Sequence, residues 1–279
     1  MSRPRPAACV MGWPVKHSRA PIIHGHWIET HGIDADFRLE AVPAEEFPAF
    51  LATLADRGYV GGTATMPHKE MALKLTEPDD RARAIGAANA MWFENDRLRS
   101  TNSDSIGFIA ALDEASPGWR DRAGKAVVFG AGGAARAIVW ALLDRGVERV
   151  HVVNRTRDKA DALRARFGAG VVPTAWDDRA GALAGAGLVA NASSLGMVGY
   201  PPLDVDLTSV AADALIADAV YVPLDTPLLE QARRRGLAVS DGLAMLLHQA
   251  SGCFEKWFGV TPVVTPDLRA KVEAALKPA

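Results

Sequence analysis

The sequence predicts an α/β protein of two domains, and three observations carry that expectation. Between about Gly124 and Ser240, short aliphatic runs alternate with amphipathic stretches, the pattern of a parallel, doubly wound sheet. A second alternation, of βαβαβ type, runs from Ala7 to about Thr65. The stretches Gly242 to Phe258 and Thr265 to Leu276 read as two helices without a strand. They are too little for a core of their own, so they are expected to pack back on the N-terminal half. The predicted division is a discontinuous domain, residues 1–104 plus 241–279, and an inserted domain, residues 105–240, with a cleft between them.

In the N-terminal half, Ala8 to Met11, Phe37 to Glu40 and Val60 to Thr65 read as strands, with amphipathic stretches from Ile22 to Thr30 and from Ala44 to Arg57 between them. Lys69 to Asn89 holds two short helices separated near Glu77-Pro78. The polar pieces Ala90 to Phe93 and Arg97 to Ser100 flank a turn at Glu94-Asn95-Asp96. Asp104 is placed to cap a helix whose apolar face includes Phe108 and Leu112. In the inserted domain the predicted strands are Val127 to Phe129, Val150 to Val153, Gly170 to Pro173, Leu188 to Asn191, Leu215 to Ala217 and Ala238 to Ser240.

Composition excludes several classes of function. The 279 residues carry 31 basic and 33 acidic side chains, a formal charge of −2, so no general basic field offers itself to nucleic acid or a membrane surface. No apolar run is long enough to span a bilayer. The opening Met-Ser-Arg-Pro-Arg-Pro lacks the apolar core of a signal peptide, and Cys9 and Cys253 have no metal-type spacing, so a reducing cytoplasm is expected.

The most informative stretch is Val127-Val128-Phe129-Gly130-Ala131-Gly132-Gly133-Ala134-Ala135-Arg136-Ala137. It reads as strand, tight turn and helix, with the helix N-terminus bared for a pyrophosphate. Gly130 permits a sharp exit from the strand, and Gly132 lets backbone N–H groups approach phosphate oxygens. Small residues at Gly133, Ala134 and Ala137 let the helix lie close to the sheet. One βα unit later the next strand ends in Asn154-Arg155-Thr156, with Arg157 and Lys159 just beyond, where an NAD site would carry a carboxylate for the ribose 2′-hydroxyl. An Arg fork beside a hydroxyl and an amide matches a 2′-phosphate instead, so the expected cofactor is NADP. A basic cluster at a helix start also opposes the macrodipole and calls for such a reason.

Several motifs, taken in order from about Gly12 to Gly259, resemble the shikimate dehydrogenase family. They are Gly12-Trp13-Pro14-Val15-Lys16-His17-Ser18-Arg19-Ala20-Pro21, Thr63-Ala64-Thr65-Met66-Pro67-His68-Lys69-Glu70, Gly86-Ala87-Ala88-Asn89 and Asn102-Ser103-Asp104, then the glycine loop, Asn154-Arg155-Thr156, Asn191-Ala192-Ser193-Ser194-Leu195-Gly196-Met197 and Met245-Leu246-Leu247-His248-Gln249. The resemblance implies NADP-dependent interconversion of an alcohol and a ketone on a cyclic polyhydroxy acid, 3-dehydroshikimate and NADPH giving shikimate and NADP+ in chorismate and aromatic amino acid biosynthesis. It implies Lys69 and Asp104 as the catalytic pair, and the chemistry agrees. Removing hydride from a secondary alcohol leaves a hydroxyl proton that a positioned base must accept.

The same resemblance implies that Ser18 holds the substrate carboxylate, that Thr65 and Asn89 bond ring hydroxyls, and that Tyr221 and Gln249 close on the substrate. Ser193, Ala219 and Gly242 would lie near the nicotinamide, and Gly130 to Ala135 would cradle the pyrophosphate. The chain departs from the family at Ala20, where a second serine is usual, at Thr63, where Asn is usual, and at Ser103 and Ser105, which flank Asp104 in place of Thr and Gly. A lost hydroxyl facing a buried carboxylate typically costs about 1–3 kcal/mol, enough to move substrate preference. Quinate, an aminated analogue or another relative therefore stays an open alternative, as does a catalytically weak NADP-binding sensor. The retained Lys69 and Asp104 argue against the sensor. The expected assembly is a monomer or homodimer.

Two constellations are set aside. His24 and His26 at i, i+2, with His17, His31 and His68 in the same half, point apart on a helix and lack a cysteine, so no metal is expected. Ser193-Ser194 lacks the glycine-flanked elbow of a serine hydrolase.

Overall fold

A computed structural model describes residues 5–276; Met1 to Pro4, which open the segment read as lacking a signal, and Lys277 to Ala279 lie outside the described residues. The chain forms two compact units, Met1–Ser103 with Gln249–Ala279, and Asp104–His248.

The first unit carries β1 (Ala7–Gly12), α1 (Ala20–Thr30), β2 (Asp36–Ala41), α2 (Phe47–Ala52), β3 (Tyr59–Ala64), α3 (Lys69–Leu75), β4 (Glu77–Pro78), α4 (Asp80–Ile85), β5 (Ala90–Glu94) and β6 (Arg97–Thr101). Its sheet runs β2-β1-β3-β5-β6-β4. The first three strands are parallel and β1 is buried along its whole length, as a strand flanked on both sides must be. β5 then runs antiparallel to β3, and the hairpin to β6 turns through Asn95 and Asp96 at φ 52° and 60°. Two successive positive φ values match the twist of flanking strands, and short Asx side chains tolerate them.

Three local expectations are corrected. The helix read over Ala44 to Arg57 is regular only over Phe47–Ala52 and continues as turns. Glu77 and Pro78 do more than separate two helices, because they pair with Arg99 and Ser100 as an edge strand. The helix α5 (Ser103–Ala115) begins before Asp104, which therefore sits in its first turn rather than at its cap. Phe108 and Leu112 do form its buried face.

The second unit continues with β7 (Lys125–Phe129), α6 (Gly133–Asp144), β8 (Arg149–Val153), α7 (Arg157–Phe167), β9 (Val171–Thr174), α8 (Arg179–Leu183), β10 (Leu188–Asn191), β11 (Leu215–Asp218), α9 (Pro227–Arg234) and β12 (Ala238–Ser240). All six strands are parallel, in the order β12-β11-β10-β7-β8-β9. Neighbouring residues of one strand feed opposite cores. Val128, Val152 and Ala190 join one, and Val127, Phe129, Val153 and Val189 the other. The chain leaves β7 toward β8 and returns to β10 on the other side, which makes the β7–β10 border a topological switch point.

The last helices are α10 (Gly242–Phe258) and α11 (Pro266–Leu276). Ala244 and Met245 belong to the core of the second unit, so the break falls inside α10 and not at the expected residue 241. Beyond it, α10 completes the first unit. Trp257 Nε1 donates to Met91 O at 2.7 Å, Cys253 and Trp257 pack on Ala8 and Ala90, and Trp27 Nε1 donates to Val263 O at 3.2 Å. Gly61 on β3 makes room, since a Cβ there would lie 2.5 Å from Trp257 Nε1. Among the described residues no helix is long and apolar enough to cross a membrane, and Cys9 and Cys253 are buried free thiols.

Candidate active site

In the first unit the topology brings four strand ends to one edge. β1 and β3 end there because they are parallel, β5 begins there because it is antiparallel to β3, and β6 ends there because it reverses again. Backbone bonds tie these ends together, Thr65 N to Met11 O at 2.8 Å, Ala64 N to Asn89 O at 2.8 Å and Asn89 N to Thr101 O at 3.0 Å. The loop after β1 is held by Trp13 N donating to Met66 O and Ser18 N to Val15 O. Ser18, Thr63, Thr65 and Asn89 are thus gathered from three separate stretches of sequence.

Lys69 opens α3 just past the β3 end, half-buried, and its carbonyl accepts Ala88 N at 2.9 Å. The next residue, buried Asn89, uses Oδ1 to accept Ser103 N at 2.7 Å and Ser103 Oγ at 3.2 Å. Asp104, also buried, follows Ser103 as the first residue of the second unit. Ser18 Oγ accepts Ala20 N at 3.3 Å, so the residue that replaces a family serine still shapes the turn through its backbone. Gln249 keeps a buried Oε1 with no hydrogen-bond partner. An acceptor in that state is an orphan that a ligand donor would satisfy.

The polar groups buried behind this edge are structural. His68 stacks on Phe47 and bonds Val42 O, and burial lowers its pKa. His24 lies among Phe37, Trp27, Phe254 and Trp257, where burial pushes its pKa down to about 3, and a neutral ring in an aromatic nest is a packing element. Among the described residues no cluster of His, Cys, Asp and Glu is arranged to hold a metal.

In the second unit the glycine loop crosses the switch point. Gly130 has φ 108° and donates to Val153 O at 2.9 Å, and a Cβ there would meet Ala192 O at 2.9 Å, so both conformation and space demand glycine. At Gly132 and Gly133 a Cβ would meet no protein atom within 4 Å. Protein packing therefore does not require glycine at either place, whereas a phosphate approaching the backbone does. This corrects the reading of Gly133 as a packing residue, since the residues buried against the sheet are Ala135 and Ala137. No side chain caps the N-terminus of α6 or of α7, which leaves their first N–H groups without a side-chain acceptor at the positive ends of the helix dipoles.

Beside the loop a cavity of about 480 Å³ is lined by Ala131, Gly132, Gly133, Arg136, Lys159, Ala162, Leu163 and Arg166. Lys159, Leu163 and Arg166 share one face of α7, and Arg136 reaches in from the second turn of α6. Arg136 and Arg166 were missed as site residues in the sequence, although the i, i+4, i+7 spacing of Lys159, Leu163 and Arg166 was there to read. Arg155 and Thr156 are exposed at the β8 end, Asn154 Nδ2 donates to Thr156 O at 2.8 Å, and Arg157 faces Asp161 at 3.6 Å instead of lining the cavity. The residues present fit a dinucleotide that carries an extra phosphate.

At the other side of the switch point Ser193 and Ala219 follow β10 and β11, and Gly242 sits where a Cβ would come 2.6 Å from Ala219 O. Tyr221 lies on the same post-β11 loop, half-buried. Sequence reading passed over Asp218, the last residue of β11, which is buried and bonded to Asn191, Val220 and Thr226.

Comparison with known proteins accords with this geometry. Residues 10–91 match the family model described as shikimate dehydrogenase substrate binding domain, and residues 118–195 that of shikimate / quinate 5-dehydrogenase. A curated shikimate dehydrogenase (NADP(+)) of Rhodopseudomonas palustris is 55% identical over 278 residues, covering 100% of both chains. Among solved structures, shikimate 5-dehydrogenase from Thermus thermophilus in complex with NADP(H) and shikimate aligns with a TM-score of 0.81 at 33% identity, over 97% of this chain and 98% of that one. Quinate dehydrogenase from Corynebacterium glutamicum in complex with NAD aligns with a TM-score of 0.88 at 27% identity, over 97% and 99%. With a substrate-type strand edge in one unit, an NADP-type glycine loop in the other, and identity of this level from end to end, the chain belongs to the shikimate dehydrogenase family.

Proposed function

We propose that the protein is an NADP-dependent oxidoreductase that interconverts shikimate and 3-dehydroshikimate. In the oxidative direction shikimate and NADP+ give 3-dehydroshikimate, NADPH and a proton. The bound nicotinamide supplies the hydride acceptor or donor. Lys69 takes the hydroxyl proton as the C–H bond gives up its hydride, and Asp104 orients that side chain and shares the proton. Ser18 receives the substrate carboxylate, while Thr65, Asn89, Tyr221 and the orphan Oε1 of Gln249 bond the ring hydroxyls. Gly130 to Ala135 would hold the pyrophosphate, Asn154, Arg155, Thr156 and Lys159 the 2′-phosphate, and Ser193, Ala219 and Gly242 the nicotinamide end.

The observation that carries this reading is the joint presence, in one chain, of a polar strand edge built from Ser18, Thr65, Lys69 and Asn89 and a glycine loop beside a basic cavity. A domain that only bound a nucleotide would have no use for the first. Ala20 and Thr63 favour a second reading, the same chemistry on quinate or an aminated analogue, because both change the hydrogen-bonding set at that edge. The enzyme would work in the cytoplasm as a monomer or homodimer. Assay of the purified protein against shikimate, quinate and an aminated analogue with NADP+ and NAD+ decides between these. Highest kcat/KM with shikimate and NADP+ supports the first reading, and turnover of none of them removes both.

A further inference from the structure

Asp218 ends β11 at 3% exposure, and three donors converge on its carboxylate. Oδ1 accepts Asn191 Nδ2 at 2.9 Å and Val220 N at 2.9 Å, and Oδ2 accepts Thr226 Oγ1 at 2.7 Å. Each donor controls a different piece of chain. Asn191 Nδ2 also donates to Leu195 O at 2.8 Å, while its Oδ1 accepts Ser193 N at 3.1 Å and Ser193 Oγ at 2.7 Å. Ser193 Oγ in turn accepts Leu195 N at 3.2 Å. Val220 lies between Ala219 and Tyr221, and Thr226 caps α9 by accepting Leu229 N. A single carboxylate thus fastens the loop after β10, the loop after β11 and the start of the helix that follows.

We propose that Asp218 is a positioning residue of the cofactor site, its carboxylate clamping the Ser193–Leu195 and Ala219–Tyr221 segments in the form that receives the nicotinamide end of NADP. The inference rests on the family reading only for the place of the nicotinamide. All three partners donate, and the ionised carboxylate accepts from all of them at once. The protonated acid carries a donor of its own, so at least one of the three contacts must reverse, as the Thr226 hydroxyl can, or weaken. Burial raises the Asp218 pKa to about 6 against the lowering effect of the three bonds. Burial and these three bonds are what shift it, and the polar groups that meet the carboxylate are the neutral Asn191 amide from β10, the Thr226 hydroxyl at the start of α9 and Val220 N–H. The clamp therefore loosens as pH falls through that value.

The test is calorimetric binding of NADP+, without substrate, to the wild type and to Asp218→Asn between about pH 5 and about pH 8, with a melting curve of each. The amide replaces one acceptor by a donor, so affinity at the upper pH should fall about tenfold. The 2′-phosphate titrates in the same range, so the informative quantity is the difference between the two proteins, which should shrink as pH drops. The melting temperature at the upper pH should stay level or rise, because the variant no longer buries an ionised group. A purely structural role predicts the reverse: a lower melting temperature and unchanged affinity of the folded protein. That result would overturn the proposal, as would a ratio of affinities constant across pH. If Asp218→Asn does not fold, Thr226→Val removes one donor and should weaken binding in the same direction while moving the acid limb upward; an unmoved limb counts against the clamp. Wild type that binds NADP+ with the predicted pH difference but oxidises no shikimate would overturn the substrate reading alone.

Discussion

The two units build their sites from different materials. In the second unit the cofactor end is mostly backbone: Gly130 at a positive φ, two glycines whose Cβ positions lie open, and two uncapped helix N-termini. In the first unit the substrate edge is side chains, brought together by strand order from residues as far apart in sequence as Ser18 and Asn89. The difference teaches where substitutions bite. A backbone cradle tolerates side-chain change and yields only to bulk or to a lost charge, whereas a side-chain edge fails at single atoms.

The largest expected effect tests that edge. Lys69→Ala should lower kcat by about 10²- to 10⁴-fold while leaving the calorimetric affinity for NADP+ within about twofold, because a proton-transfer group contributes to turnover and not to cofactor contact. Loss of cofactor affinity would show instead that Lys69 belongs to the cradle. Next in size, Arg155→Ala should weaken NADP+ by about tenfold to a hundredfold and NAD+ hardly at all, the range set by charge-assisted bonds to a phosphate. Equal weakening of both cofactors would remove the 2′-phosphate assignment. Arg166→Ala, in the lining of the cavity, should show the same selectivity on a smaller scale, about threefold.

The comparison also has a pH signature. His24 in the first unit has a folded pKa of about 3 against an ordinary 6.5, so its neutral burial stabilises the fold above 6.5 and that contribution is lost as pH falls toward 3. His68, and His151 in the second unit, act with the same sign. Asp218 acts oppositely, because its pKa of about 6 lies above the ordinary 3.8 and its burial lowers stability as pH rises through that window. Melting curves of His24→Phe should flatten the loss of stability between pH 6.5 and 3, and an unchanged acid limb would refute the assignment. The smallest effect is expected for Ala20→Ser, which restores a hydroxyl at the substrate edge and should improve kcat/KM for shikimate by about fivefold. No gain would turn attention to Thr63.

Much of this was legible in the sequence, and unevenly. The parallel sheet of the second unit follows from its alternation, and the glycine loop from residue types that only a close approach explains. The first unit shows why the rest was not. Antiparallel β5 moves Asn89 to the edge shared by Thr65 and Lys69, and nothing in the local residue pattern announces that reversal, since the Asn95-Asp96 turn marks only the next one, from β5 to β6. Asp218 was invisible for a related reason, since a carboxylate ending an apolar strand reads as a solvated strand end until Asn191 and Thr226 are seen beside it. Asp104 was read as a cap because the residue type suits one, and the helix begins a residue earlier.

The central claim is that this chain transfers hydride between NADP and shikimate with Lys69 handling the proton. The most direct measurement is the rate of NADPH appearance from NADP+ and shikimate, for the wild type and for Lys69→Ala at equal cofactor occupancy. Steady turnover is expected in the first and a rate lower by orders of magnitude in the second. Equal rates, or no NADPH formed by the wild type, would contradict it.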